Sequence, residues 1–298
     1  MKKIGFIGLG AMGSPIARNL VQAGYPLYVT YHRNKKPAEE LQEKGAVICH
    51  SYQELAEAVD VIFTCVPDSP EMEEVLFGEK GLEAGLKQGH VIFDMSTIDL
   101  TLSKKFAKRL EVKGVYFFDA PISGGTKGAK NATLAIMAGG DQEIFEENRA
   151  ILEAIGKTIV YCGSNGLGLA AKMANNLIAA SQQVAISEAL SIAIKAGIDP
   201  DALYQVLQGG TAASPILDAK FSSYLREDYT PSFKLELMCK DLNIITSVAK
   251  KLGTPTLVGS VVEQVYHMCK EEHGDKDSGA VALFYQEQAG VSFKSRKG

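Results

Sequence analysis

A glycine triplet near the start of the chain, Gly8-x-Gly10-x-x-Gly13, constrains the fold more than any other feature. It lies between a short apolar run ending at Ile7 and an amphipathic stretch. Each glycine has its own task in that setting: Gly8 permits a tight turn, Gly10 lets backbone approach a pyrophosphate, and Gly13 allows close packing of helix on strand. The N-terminus of the helix then faces the anion. The spacing predicts that Gly8, Leu9, Gly10, Ala11, Met12 and Gly13 cradle a dinucleotide; the plainer alternative is a glycine turn that only shapes the backbone.

The rest of the first half supports the first alternative. Short branched-apolar runs at 3–7, 27–31, 61–64, 91–94, 115–119, 134–137 and 158–161 alternate with helical periods at 12–22, 37–43, 52–58, 71–77, 100–111 and 141–154. Asp141 is a candidate N-cap for the last of these. The alternation implies a mostly parallel, helix-covered sheet of Rossmann type. It stops near Cys162–Gly168. From Leu169 to Lys195 the sequence has few breakers and is apolar around much of its circumference, which predicts one long helix packed from several sides. Further helical periods follow at 201–207, 216–222, 235–251, 256–272 and 280–288, and 292–298 reads as a loose tail. The expected organisation is a dinucleotide-binding domain at 1–163 and an all-α domain at 164–298, built on the long helix.

Composition narrows the partners. With 46% hydrophobic and 22% charged residues the chain can bury a core, and a net charge of -4 gives no broad basic surface for a nucleic-acid backbone. No apolar run of ~18 residues calls for a membrane span. Five cysteines form no CxxC unit, so neither a metal site nor a disulfide framework is expected. The start runs straight into a strand without the features of a secretory signal. These observations together carry the expectation of a cytoplasmic protein.

The end of the second strand approaches the adenosine ribose in such a fold, where an acid commonly accepts from the hydroxyls. Here the run is Thr30-Tyr-His-Arg-Asn-Lys-Lys36, with no acid. Arg33 can fork around a 2′-phosphate, with Asn34 and Lys35 as further donors, so NADP(H) is favoured and NAD(H) is the alternative. Cys65, Val66 and Pro67, after the Val61–Thr64 strand, would wall the same crevice. Thr97, after the next strand, would either meet the nicotinamide side or cap the following helix.

Two further stretches carry reaction chemistry. In Asp119-Ala-Pro-Ile-Ser-Gly-Gly125, Ser123 and the Gly124 and Gly125 amides can hold a small anion such as a carboxylate, though an ordinary tight turn fits the same residues. At the start of the long helix, Lys172 and Asn176 lie one turn apart on one face. A lysine there can give a proton to a developing alkoxide and an asparagine can orient it; alone, the pair reads first as a solvated helix surface.

Taken together, GFIGLGAMG at 5–13, FDMST at 93–97, DAPISGG at 119–125, GLGLAAKMANN at 166–176 and FKLELMCKDL at 233–242 resemble the β-hydroxyacid dehydrogenase family over nearly the whole chain. That family includes 3-hydroxyisobutyrate dehydrogenases and tartronate-semialdehyde, glyoxylate and succinic-semialdehyde reductases. The resemblance implies Lys172 as general acid in reduction and general base in oxidation. It implies Ser123, Gly124, Gly125 and Asn176 as the shell around a substrate carboxylate, Phe233 as part of the same wall, and Lys240, followed by Asp241, as the pair that closes on cofactor and substrate. It also implies a homodimer or homotetramer and chemistry without a metal. His32-Arg33 departs from the acidic pattern of the NAD-using hydroxyisobutyrate enzymes and resembles the NADPH-preferring reductases. The other readings are a reductase of sulfonate analogues, an imine reductase and a nonenzymatic dinucleotide sensor.

Overall fold

The four residues of β1 (Ile4–Ile7) are all buried, as are those of β4 (Val61–Thr64) and β5 (Val91–Asp94). Continuous apolar runs of this kind suit strands covered on both faces. The computed structural model describes residues 1–296. In it β1 pairs in parallel with β2 (Leu27–Val29) and β4, β3 (Val47–Ile48) flanks β2, and β5 and β6 (Tyr116–Asp119) extend from β4. Beyond β6 the sheet reverses: β8 (Leu134–Gly139) is antiparallel to β6 and to β7 (Ile122–Ser123), while β9 (Gly156–Gly163) runs parallel to β8. The order β3-β2-β1-β4-β5-β6 is that of a doubly wound dinucleotide-binding sheet, whose ligand crevice lies where the connections diverge, at the carboxyl ends of β1 and β4.

Register brings one aromatic from each of four neighbouring strands into a row. Phe6, Phe63, Phe93 and Phe118 stack with successive centroid separations of 6.2, 5.4 and 4.7 Å, and all four are fully buried. Such pairs contribute roughly 0.5–1.5 kcal/mol each beyond their burial, which stiffens the platform under the crevice. The sheet is covered by α1 (Gly13–Gln22), α2 (Lys36–Gln42), α3 (Tyr52–Ala58), α4 (Ser69–Phe77), α5 (Leu100–Glu111), α6 (Gly125–Lys130) and α7 (Gln142–Glu153). Side-chain caps start four of them: Ser51 for α3, Asp68 for α4, Asp99 for α5 and, as expected, Asp141 for α7.

Helices make up the second half: α8 (Leu167–Lys195), α9 (Pro200–Gly209), α10 (Pro215–Arg226), α11 (Leu235–Leu252), α12 (Leu257–His273) and α13 (Val281–Ala289). Asp199 and Ser214 cap α9 and α10 ahead of a proline in the first turn, and Gly253 and Gly290 end α11 and α13 in the left-handed conformation. By contacts the described residues form two compact units, Met1–Lys172 and a second that begins at Met173. The second has its own core of Leu190, Ile194, Leu203, Leu217, Phe221, Tyr224, Ala282 and Phe293.

α8 is apolar and long enough, by length and composition, to cross a membrane. Its buried polar side chains are nonetheless bonded to protein. Asn176 donates to Asp241, Gln183 accepts from Ser278, and Ser187 and Ser191 donate to carbonyls one turn back. That is how a helix inside a protein core satisfies its polar groups.

Three departures from the sequence reading have physical causes. β3 and β7 have two residues each, too short for a period to register. α6 forms from Gly-Thr-Lys-Gly-Ala-Lys, a poor helical sequence, because tertiary contacts hold it: Asn19 Nδ2 on α1 donates to Ala129 O at 2.7 Å. The tail is not loose as far as Ser295. Phe293 is fully buried, its amide donates to Gln286 Oε1, and Ser295 Oγ donates to Asp201; Lys297 and Gly298 lie outside the described residues.

Candidate active site

The glycine turn meets the geometric demands of a dinucleotide cradle. Gly8 has φ +97°, and a Cβ there would run into the Cys65 carbonyl; a Cβ on Gly13 would strike the Gly8 carbonyl. These two glycines are required by the fold. Gly10 differs, since a Cβ there would meet nothing within 4 Å. Its substitution is open to the protein and closed only to whatever lies over the turn. Leu9 and Gly10 carbonyls accept from the Ser14 hydroxyl at 2.8 Å and the Ser14 amide at 3.0 Å, so the turn through Ala11 and Met12 is held from inside and its outer face stays free. The residues present therefore fit a bound dinucleotide at this strand end.

The crevice walls are tied to one another. Cys65 N–H donates to Ile7 O at 2.9 Å and Val66 N–H to Ser96 Oγ at 2.9 Å, while Pro67 is exposed at the rim. Asp94 accepts from Thr64 Oγ1 at 2.9 Å, which couples β4 to β5. Asp99, not Thr97, caps α5, so the capping role considered for Thr97 is taken. Past β2, Arg33 and Asn34 are exposed, with Asn34 Oδ1 accepting from Lys36 N–H. Lys35 is turned to Glu39, 2.9 Å from its carboxylate, and that partner holds its ammonium above the ordinary lysine range.

Ser123 ends β7, and Gly124, at φ +128°, starts α6, whose first residue is Gly125. The Ser123-Gly-Gly segment is thus a strand-to-helix corner that presents a hydroxyl beside successive amides. Lys172 and Asn176, 6% and 4% exposed, lie on the second and third turns of α8. Burial rules out the solvated-surface alternative for both. Asn176 Nδ2 donates to Asp241 Oδ2 at 2.6 Å, and Lys240 Nζ lies 3.0 Å from Asp241 Oδ1, so a 2%-exposed carboxylate holds both neighbours.

Two carboxylates that local sequence does not single out organise these segments. Asp277, ion-paired with Lys220, accepts from Ser232 Oγ at 2.8 Å and from the Ser232 and Phe233 amides, which fixes half-buried Phe233 ahead of α11. Asp119, at the end of β6, is fully buried and accepts from Gly166 N–H at 2.6 Å and Leu169 N–H at 2.8 Å. Burial pushes its carboxyl up to about 7, with the charge of Asp94 adding to the rise and the two amides opposing it. A raised carboxyl costs stability once ionised: this contribution is best below the ordinary value of 3.8 and falls as pH rises to about 7, by on the order of 4 kcal/mol. Denaturant unfolding from pH ~4 to ~7 should therefore find Asp119→Asn gaining stability relative to the parent as pH rises. A pH-independent difference contradicts this.

Among the described residues Glu272, His273 and Glu287 bring ligand atoms within 4.8 Å of one another, but both acids are exposed and Lys276 Nζ lies 3.3 Å from His273 Nδ1. They sit on α12 and α13.

Comparison with known proteins gives the class. Residues 3–163 match the NAD binding domain of 6-phosphogluconate dehydrogenase, and residues 166–285 match the NAD-binding domain of NADP-dependent 3-hydroxyisobutyrate dehydrogenase. The chain belongs to the β-hydroxyacid dehydrogenase family and is an NAD(P)-dependent oxidoreductase. It is 41% identical over 274 residues to the 2-hydroxy-3-oxopropionate reductase of Escherichia coli K12, covering 92% of this chain and 93% of that protein. The mitochondrial 3-hydroxyisobutyrate dehydrogenase of mouse is 35% identical, covering 96% and 87%. The Mycobacterium tuberculosis 3-hydroxyisobutyrate dehydrogenase structure with L-serine superposes with a TM-score of 0.88 at 32% identity, covering 95% and 99%.

The expectation of a cytoplasmic protein is overturned by the same comparison, because the mouse relative and its rat, human and bovine counterparts are mitochondrial. The five free cysteines do not separate one compartment from another.

Proposed function

We propose that this oxidoreductase reduces a short aldehyde bearing a carboxylate to its hydroxyacid, reversibly, with NADPH preferred and 2-hydroxy-3-oxopropionate (tartronate semialdehyde) as the leading substrate. The observation that carries the reading is the burial of Lys172 one turn from a buried, hydrogen-bonded Asn176, an arrangement with no evident role in a mere sensor of the dinucleotide. The 41% identity to a 2-hydroxy-3-oxopropionate reductase supports the substrate. Bound nicotinamide supplies the hydride at C4.

The chain's own residues do the rest. Ser123 Oγ and the Gly124 and Gly125 amides hold the substrate carboxylate. Lys172 Nζ donates a proton to the carbonyl oxygen as negative charge gathers there, and takes it back in the oxidative direction. Asn176, held by Asp241, orients the reacting oxygen, Phe233 shields the site from water, and Lys240 lies against the cofactor. In this reading Lys172 meets the developing charge and no metal takes part. The division of labour proposed is cofactor binding by 1–163, and substrate binding and oligomerisation by 164–298. Ile178 and Ile192 on α8 and Leu257, Val258 and Val261 on α12, all left exposed in the single chain, support a homodimer or homotetramer.

Initial rates of NADPH and NADH oxidation with tartronate, methylmalonate and succinic semialdehydes and glyoxylate test the reading. The expected result is NADPH preference and one substrate favoured by about tenfold in kcat/KM, or 1.4 kcal/mol of discrimination. Negligible rates with all four would remove it. Arg33→Asp should move the NADPH:NADH ratio of kcat/KM toward NADH by about tenfold or more, through loss of the 2′-phosphate fork and gain of an acceptor for the ribose hydroxyls. An unchanged ratio rejects Arg33 as the selector.

A further inference from the structure

Helix α8 carries Lys172, and amides at its start are met by a side chain from far upstream. The first amides of a helix lack intrahelical partners and ordinarily take a local Ser, Thr, Asp or Asn. Here Asn165 faces the other way: its Nδ2 donates to Phe117 O at 2.6 Å and to Gly139 O at 3.4 Å, joining the turn before α8 to β6 and β8. The acceptors come from Asp119, 47 and 50 residues upstream, with one carboxylate oxygen for Gly166 N–H and the other for Leu169 N–H.

Close packing completes the joint. A Cβ on Gly168 would collide with the Met137 carbonyl and lie 2.6 Å from the Asp119 carbonyl, and one on Gly139 would lie 2.9 Å from Asp119 Oδ1. The first turn of α8 therefore sits directly on the strand ends. Lys172 follows Leu169 by three residues, onto the same side of the helix one turn on. Ser123 follows Asp119 by four residues along the chain that leaves β6. One buried carboxylate thus links the strand that leads to Ser123 with the turn that leads to Lys172.

We infer that Asp119 is a positioning residue for catalysis: by capping α8 from the end of β6, it sets Lys172 against the Ser123-Gly124-Gly125 corner without touching substrate or cofactor. This rests on the reading of Lys172 as proton donor. The chemistry of the joint favours the role. Only a carboxylate offers two acceptor oxygens to two amides, and an isosteric asparagine must turn its NH2 toward one of them. A buried carboxylate beside Asp94 is also an expensive way to cap a helix, since burial raises its carboxyl to about 7. A neutral cap would serve stability better, so its presence at this position is explained by placement.

The test compares Asp119→Asn with Lys172→Ala and the parent, using tartronate semialdehyde and NADPH, with NADPH affinity read separately by fluorescence. Asp119→Asn should lower kcat by about tenfold or more, with KM and NADPH affinity changed little, because a misplaced acid costs the chemical step and not binding. Hydrogen exchange should quicken at the amides of 166–172 and stay unchanged in β1 and α1. If the asparagine variant does not fold, Asp119→Ser, which keeps one acceptor, carries the same measurements. Faster exchange with parental kcat would make Asp119 a structural cap only and overturn the inference, as would parental exchange with parental kcat. Lys172→Ala with parental kcat overturns the proton-donor reading itself, whereas an inactive Lys172→Ala beside a fully active Asp119 variant overturns the positioning role alone.

Discussion

Lys172→Ala is expected to lower kcat for aldehyde reduction by roughly 10²–10⁴, the range contributed by a positioned general acid, with NADPH affinity retained. The loss should appear in kcat and kcat/KM together, because a proton donated to a developing alkoxide is an interaction made in the transition state and not with the bound aldehyde. The variant is expected to fold. Alanine suits a helix interior, and the first turn of α8 keeps its Asp119 cap, its Asn165 bonds and its close contact at Gly168. A KM effect with unchanged kcat would assign Lys172 to substrate binding. No effect on either would leave a buried lysine with no task in catalysis.

The glycine turn gives the second large effect, and its parts should separate. Gly10→Val should leave thermal stability within about 0.5 kcal/mol of the parent, because a Cβ at position 10 meets no protein atom within 4 Å. The branched side chain would instead stand where a pyrophosphate approaches the backbone, and NADPH affinity should fall by about 100-fold, or roughly 3 kcal/mol. Gly13→Val should do the reverse in order: its Cβ would strike the Gly8 carbonyl, so the unfolding midpoint drops before binding can be assessed. Calorimetry and a NADPH titration on the two variants read this directly. Equal destabilisation by both would show the turn to be purely structural, and undiminished NADPH binding by Gly10→Val would place the pyrophosphate elsewhere.

How legible these parts are in the sequence depends on how local their causes are. The β1–α1 opening is expected at 3–7 and 12–22 and found at Ile4–Ile7 and Gly13–Gln22, because strand period, glycine turn and helix all lie within one short window. The long helix is expected over 169–195 and begins only two residues earlier, at Leu167. What local pattern could not supply is pairing across the chain. The reversal of β8 against β6 comes from a single sheet neighbour, Gly139 beside Asp119. Phe293 looks like part of a polar tail until Tyr224, with ring centroids 5.9 Å apart, is seen beside it. At the candidate site, Lys172, Asn176 and the Ser123 corner are marked by the family resemblance, since residue types and spacing alone leave a solvated surface and an ordinary turn open. Asp119 and Asp277 do not stand out, since each acts on amides more than forty residues away. The extended run past Asp119 carried a faint signal, because an acid at the end of an otherwise apolar strand must find donors when buried.

Deuterium transfer tests the central claim most directly. Incubated with tartronate semialdehyde and NADPH deuterated at both C4 positions, the protein should yield glycerate one mass unit heavier, with the deuterium on the former aldehyde carbon and none acquired from solvent at that carbon. That result would establish direct hydride delivery to a short carboxylate-bearing aldehyde. Unlabelled glycerate, or no glycerate from a protein that binds NADPH, would contradict the account and turn attention to sulfonate or imine substrates.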